Sequence, residues 1–485
     1  MASEATAGSR ALNDWEPVIG LEVHAQLLTR SKIFCSCPTA FGAPPNTQVC
    51  PVCLGLPGAL PALNRGAVEM AIKAGKAFGC EIAERSVWAR KNYFYPDLPK
   101  GFQISQYELP ICKGGAVPVP QPDGTVRKVA LTRIHLEEDA GKNVHATNGS
   151  LVDLNRSGVP LVEIVGEPEL RSAEEASEYL KSLRLALIYL GINDGNLEEG
   201  SFRCDANVSV RRRGTKKFGT RVELKNINSF RFVRQAIDHE IERQVAAYER
   251  GEKVAQETRL FDNEKGETRP MRSKEEANDY RYFPEPDLPP LIVSREWVAK
   301  VGVPKLPHER ISELTLAGVP AADARTITAD PKLVELHAQI TLAAGRDSAK
   351  RAANVVTGEV ARLVNEGTLD LASARFQPRQ IAELFRLQDE GTLSSTAAKE
   401  VLAELLQSGK PPAQIVQEKG LAQVSDESAL EAVVDGVIAR SPSEVAKYKS
   451  GKKNLLGFFV GQAMKELKGK GNPGVLNALF KKRLD

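Results

Sequence analysis

Four cysteines fall within nineteen residues and constrain the fold of the N-terminal part of this chain more than any other feature. They form two close pairs, Cys35 with Cys37 and Cys50 with Cys53, separated by twelve residues. Thiolates at this spacing can surround a zinc ion tetrahedrally, and an all-sulfur site of this kind is structural rather than catalytic. The alternative is a pair of disulfides, which a reducing compartment would remove. The spacing favours a structural zinc site.

The charge of the chain is balanced overall but uneven along its length. Its 485 residues include 65 Lys and Arg and 62 Asp and Glu, for a net charge of +3, so a simple polybasic binding protein is excluded. Residues 441–485 carry ten basic and three acidic side chains, which favours contact with a polyanion. Solvated helix surfaces are the alternative for so short a segment.

The hydropathy pattern indicates no targeting or membrane-spanning segment. Residues 1–16 are polar and rich in small side chains, without the apolar centre of a signal peptide. No apolar run reaches the roughly eighteen residues that cross a bilayer. We therefore expect a cytoplasmic protein with no membrane partner.

Two helices are indicated in the first part of the chain. Ser172 and Glu175 form a capping box that predicts a helix over residues 173–190. A second helical pattern covers residues 231–250. Because strand-like segments alternate with these helices, we expect residues 1–296 to form an α+β domain.

The remainder of the chain is predicted to be helical. Residues 279–290 are rich in proline, which excludes a regular helix there and closes the first domain. Beyond this segment the strand patterns fade and helix-start signals recur. The sequence predicts a helical connector over residues 297–375 and a small basic helical tail over residues 376–485.

Polar residues recur on single faces of predicted strands. Residues 18–27 alternate with period two, so Glu22 and His24 share one face. Asp205 and Asn207 share a face in the same way. A carboxylate and an imidazole two residues apart can bind a cation or orient one another. An ordinary solvent-facing strand surface is the alternative for any one of these pairs.

Further acids and bases extend this pattern. Glu223 lies between two basic residues on one predicted strand face, and Glu137 and Glu138 belong to a run of three acids before a glycine. Oxygen-rich groups with few sulfur or imidazole ligands suit Mg²⁺. Lys91 lies beside an aromatic cluster and could meet phosphate charge; the alternative is an ordinary surface lysine.

Several catalytic classes are excluded by missing motifs. The chain contains no GxxxxGK[ST] loop and no kinase-type catalytic set, so any ATP chemistry must use another phosphate site. It also lacks a GxSxG motif and a glycine- and serine-rich amidase stretch, which leaves no nucleophile for releasing ammonia from glutamine.

Taken in order, the motifs of this chain resemble those of the B-subunit family of bacterial-type aspartyl/glutamyl-tRNA amidotransferases. The similarity covers nearly the whole chain. The motifs that carry it are IGLEVH at 19–24, RKNYFYPD at 90–97, QISQ at 103–106, HLEEDAGK at 135–142, LVDLNR at 151–156, EEGSFRCDAN at 198–207, ELKN at 223–226 and DYRYFPEPD at 279–287.

The resemblance implies an ATP-dependent carbon–nitrogen ligase that uses glutamine as amido donor. ATP would phosphorylate the side-chain carboxylate of Glu-tRNA(Gln) or Asp-tRNA(Asn), and ammonia would then displace phosphate to give the amide. The implied partners are a glutaminase (amidase) that forms the A subunit, a small C subunit, and tRNA(Gln) or tRNA(Asn). The implied fold is a mostly antiparallel-sheet catalytic cradle followed by helical connector and tail domains, the tail contacting tRNA.

The resemblance also assigns roles by motif and implies ATP and Mg²⁺ as cofactors, while the spacing of the cysteines predicts a structural Zn²⁺. The residues implied as Mg²⁺ ligands are Glu22, His24, Glu138, Asp205 and Glu223. The residues implied as catalytic are Lys91, Glu137, Glu198 and Asn207. Two other functions stay open: a non-catalytic zinc-containing tRNA-binding adaptor, and an unrelated Mg²⁺-dependent ligase acting on a small acid.

Overall fold

The structure, a computed structural model, describes residues 14–121, 123–147, 149–273, 277–423, 427–467 and 470–485. The chain divides into two units, Met1–Glu309 and Arg310–Asp485. The first unit combines strands with a few helices, and the second is helical. The predicted α+β class, with a mostly antiparallel sheet followed by helices, is confirmed.

The strands of the first unit are numbered here in chain order. They are β1 (Trp15–Gln26), β2 (Glu81–Ile82), β3 (Arg85–Ser86), β4 (Trp88–Asn92), β5 (Phe102–Gln106), β6 (Cys112–Lys113), β7 (Ala116–Pro120), β8 (Val126–Glu138), β9 (Lys142–Ala146), β10 (Gly149–Asp153), β11 (Pro160–Gly166), β12 (Phe202–Arg212), β13 (Val222–Ile227), β14 (Glu257–Asp262), β15 (Glu267–Ser273), β16 (Phe283–Pro284) and β17 (Leu291–Ile292).

The main sheet has ten strands, and β1 lies near its middle. The order is β15-β14-β13-β12-β1-β11-β8-β6-β2, with β7 also paired to β8. These pairs are antiparallel except for β13 with β14. Because β1 has a neighbour on each side, its side chains meet residues of both β11 and β12.

The main sheet has one apolar and one polar face. On β1, Leu21, Val23 and Ala25 are buried, whereas Glu22 and His24 between them lie on the opposite face, as the period-two pattern predicts. The apolar face shares a hydrophobic core with the helices of this unit. Those helices are Arg65–Ala77, Ala173–Tyr189, Phe230–Glu249 and the short Arg295–Lys300.

The capping residues fix where the two long helices begin. Ser172 Oγ accepts a hydrogen bond from the backbone N–H of Glu175 at 3.1 Å, which opens the helix Ala173–Tyr189. Ser229 caps Phe230–Glu249 in the same way. The predicted helices are therefore present, with ends displaced by one residue.

The proline-rich segment contributes an edge strand, β16, to a second, three-stranded sheet. In this sheet β4 lies between β16 and β5. The side-chain amide of Asn92 donates to the backbone oxygens of Tyr280 and Arg281, which ties the segment to the end of β4. The segment 279–290 thus follows a fixed path beside the strand that carries Lys91, although it has no regular helix.

The second unit is built from short helices. Its α-helices are Pro307–Leu316, which begins just before the unit boundary, and Ala321–Thr328, Pro331–Ala344, Ala349–Val355, Ala361–Asn365, Pro378–Asp389, Ser395–Ser408, Pro412–Lys419, Glu427–Arg440, Pro442–Lys449, Leu456–Glu466 and Pro473–Leu484. A π-helical turn, Val356–Val360, joins two of them. None of the helices in the described residues is long and apolar enough to cross a bilayer.

The second unit contains two hydrophobic clusters. One extends from Val319 to Val416 and the other from Leu430 to Leu484. The first cluster includes residues on both sides of the predicted boundary at 375, such as Leu363 and Phe376. The division into connector and tail therefore stays a prediction, and the apolar core is continuous across that boundary.

Candidate active site

Strand register gathers titratable side chains on the polar face of the main sheet. His24 on β1 is opposite Glu163 on β11, and Glu163 is in turn opposite His135 on β8. On the other side of β1, Glu22 is opposite Asp205 of β12. These side chains line an open pocket of about 300 Å³. Backbone pairing therefore sets the positions of these side chains in the pocket.

Two histidines and two glutamates form a network at the floor of the pocket. Glu163 Oε2 lies 3.5 Å from Nε2 of His24 and 3.3 Å from Nε2 of His135. Glu137 Oε1 lies 3.9 Å from His24 Nε2. Potential ligand atoms of His24, Glu137 and Glu163 all lie within 4.8 Å of one another. This grouping could hold a cation.

The charges in the network determine its protonation. Burial disfavours the charged form of His24, but its hydrogen bond to Glu163 and the charges of Glu163 and Glu137 raise its pKa above the ordinary value. Burial likewise opposes ionisation of Glu163, yet the two histidines lower its pKa well below the usual range. A metal ion here would compete with the proton on His24.

Glu22 experiences an excess of negative charge. Burial and the neighbouring carboxylates, first Glu163 and then Glu223, raise its pKa. The amide of Asn207 donates to Glu22 Oε1 at 2.8 Å, which orients the carboxylate. Because burial and like charges both disfavour the ionised form, a cation beside Glu22 would be stabilised there.

Lys225 offsets part of this negative charge. Its Nζ pairs with Asp205 and lies 3.5 Å from Glu223 Oε1. Burial would lower the pKa of Lys225, but the charges of Asp205 and Glu223 raise it, so the amine stays protonated. Asp205 and Glu223 therefore lie together with a cation already between them.

Lys91 supplies a second positive charge from the smaller sheet. Its Nζ lies 4.8 Å from the ring centroid of Tyr280 and 5.9 Å from that of Tyr93. Burial opposes the charged form, but Glu137 raises the pKa of Lys91 above its ordinary value. The pocket thus presents a fixed ammonium opposite a carboxylate-lined sheet.

Three predicted catalytic or Mg²⁺-binding residues do not line this pocket: Asn207, which contacts it through Glu22, and Glu138 and Glu198. Glu138 follows Glu137 on β8 and faces the opposite side of the strand, where its carboxylate accepts from Lys100 and from the backbone N–H of Ile104. Glu198 is exposed in a turn that precedes β12. Alternation along the strand separates Glu138 from Glu137, and the turn leaves Glu198 exposed, so the roles predicted for Glu138 and Glu198 stay predictions.

The sequence analysis did not single out Glu163 or His135. Glu163 interrupts the apolar run of β11, PLVEIVG. A lone carboxylate inside a buried strand is costly unless it has partners, so that interruption was a usable signal. His135 alternates with Arg133 and Glu137 along β8, which places it on the same face as Glu137.

The four cysteines meet at a separate point of the first unit. Their sulfur atoms lie within 4.8 Å of one another, and the sulfurs of Cys50 and Cys53 are 3.9 Å apart. Tetrahedral zinc with bonds of about 2.3 Å requires sulfurs about 3.8 Å apart, whereas a disulfide needs about 2.0 Å. None of the four cysteines forms a disulfide. The cluster could hold a structural metal ion.

A buried lysine adjoins this cysteine cluster. Lys32 is 0% exposed, and its Nζ lies 3.5 Å from the sulfur of Cys53. Its other partners are backbone oxygens of Gln48 and Leu154. A hydrogen bond from Cys35 outweighs burial and, with the charge of Lys32, lowers the pKa of Cys53 to about 4. A thiolate is therefore favoured at Cys53, which is the form that binds metal.

Comparison with known protein families shows the class of protein to which the chain belongs. Residues 17–299 match the family described as the GatB/GatE catalytic domain, and residues 339–484 match the family described as the GatB domain. The first match contains both the pocket and the cysteine cluster. The chain is thus built from a catalytic domain of this class and a second domain that accompanies it.

Full-length relatives then give the particular family. The chain is 62% identical over 481 residues to the B subunit of the aspartyl/glutamyl-tRNA(Asn/Gln) amidotransferase of Anaeromyxobacter sp. (strain Fw109-5), and the match covers 98% of this chain and 99% of the relative. It is 56% identical over 478 residues to the protein of the same description from Myxococcus xanthus (strain DK1622), with 98% and 99% covered. The chain belongs to the family of aspartyl/glutamyl-tRNA(Asn/Gln) amidotransferase B subunits.

Proposed function

We propose that this chain catalyses the ATP-dependent amidation of a carboxylate carried on tRNA. The substrate is the side chain of glutamate on tRNA(Gln), of aspartate on tRNA(Asn), or of both. The amido donor is glutamine, whose ammonia arrives from a separate glutaminase subunit. The observation that supports the proposal most strongly is the pocket of His24, Glu137, Glu163 and Glu22 opposite Lys91, in a chain of this family.

The proposed chemistry has two balanced steps. A carboxylate oxygen of the substrate bonds to the terminal phosphorus of ATP while the bond to the leaving ADP oxygen breaks. Ammonia then bonds to the acyl carbon, phosphate leaves, and the nitrogen loses a proton. The first step brings anions together, so charge neutralisation is the main physical problem.

The residues of the pocket fit a magnesium site. Oxygen ligands with one imidazole are available from Glu22, His24, Glu137 and Glu163, and the raised pKa of Glu22 indicates a position that favours a cation. Asp205 and Glu223 remain further candidates, although Lys225 lies between them. Bound Mg²⁺ would screen the phosphate charge.

Lys91 would act directly on the substrates, whereas Asn207 and Glu137 would position neighbouring groups of the pocket. Lys91 would attract the transferred phosphoryl group, since its ammonium is held charged and forms no direct ion pair with the described residues. Asn207 would hold the carboxylate of Glu22 in place. Glu137 would fix His24 and Lys91 through its charge.

The remaining parts of the chain receive supporting roles in this proposal. The four cysteines would hold a structural zinc ion, and the basic residues near the C-terminus would contact the phosphates of tRNA, which sets position rather than reading sequence. The chain would work in the cytoplasm, in a heterotrimer whose other members are the amidase (the A subunit) and the small C subunit.

The first step can be tested through ADP formation. In the reconstituted complex supplied with ATP, Mg²⁺ and Glu-tRNA(Gln), ADP should form only when the aminoacylated tRNA is present. Glu22→Gln should abolish this tRNA-dependent ADP formation, while Glu199→Gln, in an exposed turn, should retain it. Retained activity in Glu22→Gln would contradict the proposal and favour a tRNA-binding adaptor.

A further inference from the structure

One side chain of the pocket has a buried hydrogen-bond donor without a partner. Gln106, the last residue of β5, lines the pocket and is only 2% exposed. Its Nε2 finds no acceptor among the described residues. Burying a polar group without a partner costs free energy, so such a group in a ligand pocket calls for an explanation.

The orientation of the Gln106 amide is fixed by its other end. Oε1 accepts from the backbone N–H of Ile111 and from that of Leu136, each at 3.1 Å. An amide rotated by 180° would place its NH₂ group against two donors, so only the present orientation satisfies the backbone. The NH₂ group is therefore held as a donor.

None of the described residues around Gln106 supplies an acceptor for this donor. Leu136, which anchors its oxygen, lies between His135 and Glu137 on β8. The neighbouring Ser105 already donates to Glu137 Oε2 at 3.3 Å, and Glu137 also lies near His24. The acceptor that completes the Gln106 amide is thus expected from the molecule that enters the pocket.

We propose that Gln106 Nε2 donates a hydrogen bond to an anionic oxygen of the bound substrate. The inference rests on the proposed function and adds a substrate-positioning residue to it. Two sources share this chemistry: the side-chain carboxylate of the aminoacyl group, and a phosphate of ATP. A neutral donor locked by two backbone contacts positions such an oxygen without the entropy cost of ordering a long cationic side chain.

The test uses a substitution that removes the donor and keeps the acceptor. Gln106→Glu leaves an oxygen for Ile111 and Leu136 but places a second oxygen where Nε2 was. The reconstituted complex, with folding checked by its Tm, should lose at least tenfold in kcat/KM for amidation with ammonium. A rise in KM for Glu-tRNA(Gln) identifies the carboxylate as the partner, and a rise in KM for ATP identifies the phosphate.

A pH profile separates positioning from a structural role. When the introduced carboxyl is protonated it regains a donor, so the activity of Gln106→Glu relative to wild type should recover as pH falls. Gln106→Met, which has no donor at any pH, should show no such recovery, and it provides the kinetic comparison if Gln106→Glu folds poorly.

The outcome distinguishes this inference from the proposed function. If the wild-type complex forms Gln-tRNA and folded Gln106→Glu and Gln106→Met keep their kcat/KM for both substrates, the positioning role of Gln106 is refuted alone. If the wild-type complex forms no Gln-tRNA, the proposed function itself fails.

Discussion

Substitution of Asp139 should destabilise the first unit in a pH-dependent way. Asp139 is 5% exposed and follows directly after β8. Arg203 of β12 binds both of its oxygens, at 2.9 and 3.0 Å, and the amide of Gln26 of β1 donates to it at 2.7 Å. The carboxylate therefore joins the ends of three strands that carry the pocket, two residues from Glu137.

The size of the effect follows from the pKa of Asp139. Burial opposes ionisation, but Arg203 and then Arg156 lower the pKa from 3.8 to about 2. At about 1.4 kcal/mol per pKa unit, this depression corresponds to about 2 kcal/mol of folding free energy. Because the folded-state pKa is depressed, that stability is present above pH 4 and is lost as pH falls toward 2.

Urea unfolding of wild type and Asp139→Asn measures the difference. We expect the substitution to cost about 2 kcal/mol at pH 7 and about half as much at pH 3, where the wild-type carboxyl is protonated in the unfolded chain. Glu81→Gln, at an exposed position, should change stability by less than about 0.5 kcal/mol. An equal cost of Asp139→Asn at both pH values would refute the electrostatic origin of the stabilisation.

Three further predictions concern the metal site and the faces of β8. Cys50→Ser should release zinc, as measured with a chelating dye, while reducing ADP formation less than Glu22→Gln does. Lys32→Met should weaken zinc binding about 10- to 100-fold in chelator competition, since it removes a buried cation beside a thiolate; unchanged affinity would contradict that role. Glu137→Gln should reduce amidation more than Glu138→Gln, because only the first faces the pocket, and the reverse order would refute this assignment.

The β1 strand illustrates what the sequence could predict. Alternation alone separates Glu22 and His24 from Leu21 and Val23, and the structure keeps that separation. The helix beginning after Ser172 was predictable for a similar reason, since its cap is local. Features set by residues close in the chain can be read from the pattern of side chains.

The partners of Glu163 and the orientation of Glu138 illustrate what could not be predicted from the sequence. The partners of Glu163 come from β1 and β8, and only the register of three antiparallel strands brings them together. The motif that contains Glu137 and Glu138 does not show which of the two faces the pocket, because that depends on which face of β8 is covered. Which residues belong to the site is determined by long-range strand pairing and not by the local sequence pattern.

The NH₂ group of Gln106, which has no acceptor among the described residues, likewise could not be identified from the sequence. Its motif, QISQ, indicates only a short polar strand. The fixed orientation of its NH₂ group depends on backbone donors from Ile111 and from the paired region of β8. Contacts of this kind join residues from different segments of the chain, so the local sequence pattern does not show them.

This chain itself is proposed to carry the amidation site, and one rate measurement tests that assignment most directly. The complex with an inactivated glutaminase subunit is given ATP, Mg²⁺, ammonium and Glu-tRNA(Gln), and the aminoacyl product is analysed. Wild-type chain should yield Gln-tRNA(Gln), and Glu163→Gln, at the centre of the histidine–glutamate network, should reduce the rate by at least a hundredfold. Product formation at the wild-type rate by Glu163→Gln, or no product from wild type, would contradict the account.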